Sequence, residues 1–335
     1  MSSSVISAAM IFAPEASRKL GESVARALDL ALSPSEERDF DAGEHKMRPM
    51  SSVRDRDVYV IQTLCGDAQA SANDRLCRLL FFIGALKDAG AARVTAFVPY
   101  LAYSRKDRRT KARDPIATRY VAAMFEAVKT DCVVVLDVHN LAAFENAFRI
   151  PTVPLDSASL FAEHFAADET AGEWTIASPD VGGVKRAHHL RELFESKFKR
   201  PVGAAFMDKK RSGGVVSGDA LVGDVAGKRV LIVDDIISSG TTMCRAVAAC
   251  RKAGAREVHL AATHAVLAPE ARRLFDADDR AAIPDSVVVT DSVAMRAEFG
   301  RYVGRGLQVL SIAPLFGETI RRLHSGADVF DLCGL

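Results

Sequence analysis

The 335-residue sequence has no surplus of either charge: 44 Lys and Arg face 43 Asp and Glu, a formal net charge of +1. Without such an excess, no bulk field draws the chain to nucleic acid or to a membrane surface. No run approaches the roughly 18 apolar residues of a membrane-spanning helix. The stretch from Met1 to Phe12 carries neither a basic n-region nor a secretory cleavage site. None of the six cysteines (65, 77, 132, 244, 250, 333) forms a Cys-x-x-Cys pair. Cys77, Cys132, Cys244 and Cys250 fall inside apolar strand or helix patterns and are expected as buried free thiols in a reducing cytoplasm. What is present is an ordinary globular composition, 49% apolar and 26% charged. The chain is long enough for two domains with cores of their own.

The richest stretch runs from Arg229 to Thr242. Arg229 to Val233 reads as a buried parallel strand, and two adjacent carboxylates, Asp234 and Asp235, stand where it should end. Ser238, Ser239, Gly240, Thr241 and Thr242 follow, then a helix from Met243 to Ala253. Ligands of open α/β sheets bind outside the carboxyl ends of strands. A hydroxyl-rich loop opening a helix offers N–H and O–H groups to an anion. Two acids beside it would repel a phosphate, so they suit sugar hydroxyls or a divalent cation. A loop for phosphate beside acids for hydroxyls points to a sugar phosphate. The bland alternative is a strand–turn–helix whose acids merely sit at a strand end. The stretch resembles the phosphoribosyl-diphosphate (PRPP) motif of the type I phosphoribosyltransferase fold.

Elsewhere strands and helices alternate. Strands are expected at 5–12, 58–62, 94–98, 133–138, 175–178 and 202–207. Helices run from Pro14 to Leu30, with Leu20, Val24 and Leu28 on one face, through Leu76 to Leu86 with Gly90 as its stop, and from Pro115 to Val128. Arg38 to Glu44 is a polar loop with an exposed Phe40. Six basic residues crowd between Arg105 and Arg113 behind a buried strand, well placed for polyphosphate. His139 sits at another strand end. An acid, two glycines and two bases, Asp180 to Arg186, mark a strand–helix junction. Asp208 to Gly227 is a Gly/Ser-rich loop, a candidate lid.

Ala85–Val94 echoes Ala249–Val258, and Cys132–Asp137 echoes Ser286–Asp291, in the same order. Two related α/β domains are expected, each a mainly parallel sheet flanked by helices. Residues 1–150 form the first domain, with 315–335 packing back on it, and 151–314 the second, Pro151 and Pro154 marking the crossing.

Taken in order, these motifs resemble the ribose-phosphate diphosphokinase (PRPP synthetase) family over nearly the whole chain. The resemblance implies transfer of the β,γ-diphosphoryl group of ATP to O1 of ribose 5-phosphate, giving PRPP and AMP with Mg²⁺ as cofactor. It also implies a cytoplasmic homo-oligomer built from dimers, up to a hexamer. By the same resemblance Asp234, Asp235 and Ser238 to Thr242 bind ribose 5-phosphate. Phe40, Gly43, Glu44, Arg105, Lys106 and His139 bind ATP, His139 and Asp180 serve the metal, and Lys209 and Arg211 are catalytic.

Some positions depart from the pattern. Ala42 replaces an Asp in the adenine loop, Lys106 a Gln, Ser238 a common Asp, and Val181 a polar residue or Ala. Loosened donor specificity, or adenine read through backbone groups, is expected. Two other readings stand beside the enzyme. One is a non-catalytic regulatory paralogue, against which Lys209, Arg211, His139 and Asp180 all speak. The other is a phosphoribosyltransferase, against which the second domain speaks.

Overall fold

The computed structural model describes residues 9–167, 172–212, 215–276 and 280–334, with side chains for all of these except 209–212, 215–219 and 280. Two compact units emerge, one running to Asp156 and taking in Ser311 onward, the other Ser157–Leu310. The first contains β1 (Ala9–Phe12), α1 (Arg18–Ala27), β2 (Ser35–Asp39), β3 (His45–Pro49), β4 (Asp57–Ile61) and α2 (Ala72–Asp88). It continues with β5 (Arg93–Val98), α3 (Ala117–Ala127), β6 (Cys132–Leu136), α4 (Leu141–Ala147) and β7 (Thr152–Leu155). The second contains α5 (Ala158–Ala166), β8 (Trp174–Ser178), α6 (Val184–Phe198), β9 (Gly203–Ser212), β10 (Val215–Val222) and β11 (Arg229–Ile237). Next come α7 (Thr241–Lys252), β12 (Glu257–Ala265), α8 (Arg273–Asp276), β13 (Ser286–Thr290) and β14 (Leu307–Leu310), before α9 (Ala313–Ser325) rejoins the first unit.

The first sheet has the order β1-β4-β5-β6-β7 and is parallel throughout. The second has the order β10-β9-β8-β11-β12-β13-β14, parallel except for β10 against β9. β8-β11-β12-β13-β14 repeats the order of the first sheet, so the internal echo is one of topology. Cys132–Leu136 and Trp174–Ser178 are buried at every residue, as strands covered by helices on both faces must be. Helix α2 opens with a capping box: Ser71 Oγ accepts from Asp74 N (3.2 Å) and Asp74 Oδ2 from Ser71 N (2.7 Å). It ends at Gly90 with φ +88°, where Ala91 N donates back to Leu86 O. Helix α7 ends identically at Gly254, also φ +88°, with Ala255 N on Cys250 O. The left-handed turn at both places accounts for the repeated Ala-Gly-Ala.

Several expectations change. The polar loop around Phe40 is the tip of an antiparallel hairpin, β2 with β3. Asp208 to Gly227 is not a plain loop, since β9 and β10 pair from Phe206–Val222 to Ser212–Val215. Cross-strand backbone bonds stabilise that hairpin, and single-strand propensity does not report them. Pro154 lies not in a crossing but in β7, which pairs with β6 at the sheet edge, where a missing N–H is tolerated. The strand expected from Val5 is described from Ala9. Cys132 and Cys250 are buried, Cys244 is half-buried and Cys77 is exposed on α2. No helix among the described residues is long and apolar enough to cross a membrane.

Helix α9 packs on the first sheet. Phe316 meets Phe97 edge-on at 5.2 Å, and His324 Nδ1 lies 2.7 Å from Asp57 Oδ2. Arg93 Nε donates to Asp57 Oδ1 (2.8 Å) and its Nη2 to Leu323 O (2.9 Å), while Tyr59 Oη donates to Asp57 Oδ2 (2.6 Å).

Candidate active site

Strand β11 is buried from Arg229 to Val233 and continues through the two acids to Ile237. Asp234 is half-buried and Asp235 only 4% exposed. Asp235 N donates to Asp234 Oδ1 (2.9 Å), and Arg186 Nη1, from the first turn of α6, donates to the same oxygen (3.1 Å). Burial pushes the Asp234 carboxyl up to about 7, the neighbouring Asp235 charge adds to the shift, and Arg186 opposes it. An acid pair this dry gains from a cation or from hydroxyl donors.

The loop beyond is braced from below. Leu267 N donates to Ile237 O (2.9 Å) and Ala268 N to Ser238 O (3.0 Å). Gly240, left-handed at φ +74°, is the N-cap of α7, and its missing Cβ would meet Leu274 Cδ1 at 3.1 Å. Ser239 Oγ and Thr241 Oγ1 lie 3.1 Å apart, and Arg273 Nη1 donates to Thr241 Oγ1 (3.1 Å). Hydroxyls, a helix N-terminus and a guanidinium thus meet beside the acids, a setting for an anion. Asp180 lies at the end of β8, the strand paired with β11. Its Oδ1 accepts from Gly183 N (3.1 Å), and its carbonyl accepts from Ser178 Oγ (2.6 Å).

In the first unit, Arg105 and Lys106 are exposed in the loop after β5, and His139 is exposed after the adjacent β6. Asn140 joins the two loops: Nδ2 donates to Asp107 Oδ2 (2.6 Å) while Oδ1 caps α4 by accepting from Ala143 N (3.2 Å). Lys106 N and Thr118 Oγ1 both donate to Tyr103 O, each at 2.9 Å. Phe40, Gly43 and Glu44 lie on the separate hairpin tip, with Arg38 stacked 5.0 Å over the Phe40 ring and Phe40 N donating to Glu44 O (2.8 Å). Lys209 and Arg211 belong to β9 by backbone; their side chains lie outside the described residues. The fold therefore gathers Asp180, Asp234, Asp235 and 238–242 at one sheet end. Arg105, Lys106 and His139 come together at the other sheet's equivalent end.

Two family profiles match the chain, the N-terminal domain of ribose phosphate pyrophosphokinase over residues 9–128 and the phosphoribosyl transferase domain over residues 147–295. The ribose-phosphate pyrophosphokinase of Caldanaerobacter subterraneus subsp. tengcongensis is 36% identical over 324 residues, 96% of each chain. The chain belongs to the ribose-phosphate pyrophosphokinase family. Ribose-phosphate pyrophosphokinase 1 of Streptococcus pyogenes is 33% identical over 318 residues, 94% of each chain. The solved phosphoribosylpyrophosphate synthetase of Mycobacterium smegmatis has a TM-score of 0.83 and 32% identity, over 95% of this chain and 99% of that one. The two phosphoribosyltransferase-like domains expected from the sequence are those of this pyrophosphokinase family.

The contacts that Arg186 and Arg273 make are not legible in the sequence. Arg186 was visible as a base closing the Asp180 loop, but nothing local linked it to acids on β11. Arg273 carries no motif at all and reaches Thr241 only because α8 folds under the loop.

Proposed function

We propose that this pyrophosphokinase relative is a working ribose-phosphate diphosphokinase, moving the β,γ-diphosphoryl group of ATP to O1 of ribose 5-phosphate and releasing PRPP and AMP. The observation that carries the reading is the junction of β11 and α7, where a desolvated acid pair adjoins a braced hydroxyl loop. Asp234 and Asp235 accept hydrogen bonds from the ribose hydroxyls. Ser238, Ser239, Gly240, Thr241 and Thr242 hold the 5-phosphate through backbone N–H and hydroxyl donors. Arg105, Lys106 and His139 take the ATP phosphates, and Phe40, Gly43 and Glu44 face the adenine.

Among the described residues no three His, Cys, Asp or Glu side chains form a metal cage. Mg²⁺ is usually held by one or two carboxylates together with substrate phosphates. Asp180, fixed by Gly183, would supply a hard oxygen to a metal in the second unit, and in the first unit His139 is the residue proposed to serve a metal. When bound, Mg²⁺ neutralises phosphate charge. The sugar hydroxyl attacks in line, so positioning and cationic charge supply most of the rate. Lys209 and Arg211 on β9 bring charge to the departing AMP and help exclude water.

Action in the cytoplasm and assembly as dimers up to a hexamer belong to the same proposal. The test mixes purified protein with Mg-ATP and ribose 5-phosphate. Sugar-dependent AMP release supports the synthetase. Nucleotide binding without turnover would instead indicate a regulatory paralogue, and PRPP consumption a phosphoribosyltransferase.

A further inference from the structure

Neighbouring residues of a β-strand project to opposite faces. Asp234 and Asp235 are both inside β11, so strand geometry alone would part their carboxylates. The structure converges them on a single atom. Arg186 Nη1 stands 3.1 Å from Asp234 Oδ1 and 3.5 Å from Asp235 Oδ1. The Asp235 amide, donating to Asp234 Oδ1 at 2.9 Å, turns the first carboxylate back toward the second. The three side chains keep only 19%, 21% and 6% of their surface exposed. Attraction in so dry a place is strong.

The guanidinium arrives from a different junction. It lies on α6, which follows β8, and β8 pairs with β11 from Arg229 to Ile232. The loop carrying Asp180 and the strand carrying the acid pair are therefore coupled by one cation between them. Vicinal hydroxyls of a furanose lie close together on one face and need acceptors that point to one place. Two carboxylates left to repel each other would not provide that.

We infer that Arg186 is a positioning residue for ribose 5-phosphate, converging the Asp234 and Asp235 carboxylates into one paired acceptor for the vicinal sugar hydroxyls. This rests on the sugar-phosphate reading proposed above. A planar fork can bridge two oxygens while a lysine is a point charge, so Lys restores only part of the effect.

The experiment compares the full-length wild type with Arg186→Gln and Arg186→Lys. Kinetics are measured with ribose 5-phosphate and with 2-deoxyribose 5-phosphate as acceptors, and calorimetry follows ribose 5-phosphate binding. Arg186→Gln should raise KM for ribose 5-phosphate roughly ten- to a hundredfold, the range for a lost charge-assisted hydrogen bond. KM for ATP should stay within about twofold, kcat should fall less than KM rises, and preference for the 2-hydroxyl should shrink toward none. Lys should fall between Gln and the wild type. An unchanged sugar KM with intact discrimination overturns the inference. So does an equal rise in the KM for ATP, which would make Arg186 a polyphosphate ligand.

A merely structural role would weaken both acceptors alike and leave their ratio untouched. If Gln prevents folding, the Lys variant's acceptor ratio decides by the same criterion. Wild type that binds ribose 5-phosphate without turnover sinks the diphosphokinase reading, and calorimetry on the variants still decides the role of Arg186. Wild type that binds no ribose 5-phosphate overturns both.

Discussion

Replacing Gly240 with alanine sets the backbone strain of the phosphate loop against the packing beneath it. At φ +74° an L-residue costs roughly 1–2 kcal/mol over glycine. The new Cβ would also stand 3.1 Å from Leu274 Cδ1 and Cγ and 3.5 Å from the Ala271 backbone, and Leu274 is fully buried with little room to move. The loop must then shift, and if the strain appears as lost sugar-phosphate affinity, KM for ribose 5-phosphate rises about 5- to 30-fold. Gly227→Ala is the matched control: φ is +71°, but nothing lies within 4 Å of its Cβ. It pays the conformational cost alone, away from the loop. The single tryptophan, Trp174, is buried in the second unit with Arg229 4.3 Å over its ring. Its fluorescence during urea unfolding therefore reports that unit without the first. Both variants should lower the fluorescence midpoint, and only Gly240→Ala should raise KM. Equal KM changes in the two, or none in Gly240→Ala, would refute the assignment of this loop to the phosphate.

Burial and the Asp235 charge push the Asp234 carboxyl up to about 7 from an ordinary 3.8, so the folded state holds the extra proton between them. Its contribution to stability is full below about 4 and falls as pH rises to about 7, while KM for ribose 5-phosphate should improve over the upper part of that window. Asp234→Asn should flatten the stability slope in unfolding curves taken at several pH values. Burial raises the Asp57 carboxyl, but bonds from Arg93, Tyr59 and His324 outweigh it and the net shift is downward. Its contribution is therefore present above 3.8 and lost in stronger acid. Asp57→Asn should cost on the order of 2 kcal/mol, short of a fully buried pair because Arg93 is 40% exposed, with faster amide exchange along α9 as the readout. Ala42, at φ +65°, offers no side-chain acceptor to an adenine amino group, so on the proposed function rates with ATP, dATP, GTP and CTP should lie close together. A preference for ATP by several orders of magnitude would refute that.

Local chemistry made much of this protein readable in its sequence. Continuous apolar runs such as Val133-Val134-Val135 fit strands covered on both faces, and the helix stop at Gly90 declared itself because only glycine is comfortable there. The acid pair and hydroxyl loop were legible because their chemistry lies within a few consecutive residues. Tertiary structure decided what depends on partners far along the chain. It made Thr152–Leu155 an edge strand rather than a crossing and paired Gly203–Ser212 with Val215–Val222. It joined His324 to Asp57 and brought Arg186 to Asp234 and Asp235. A sequence records which groups can donate, accept or carry charge. Which of them share a dry pocket is settled only when strands pair, because burial sets the strength of those contacts.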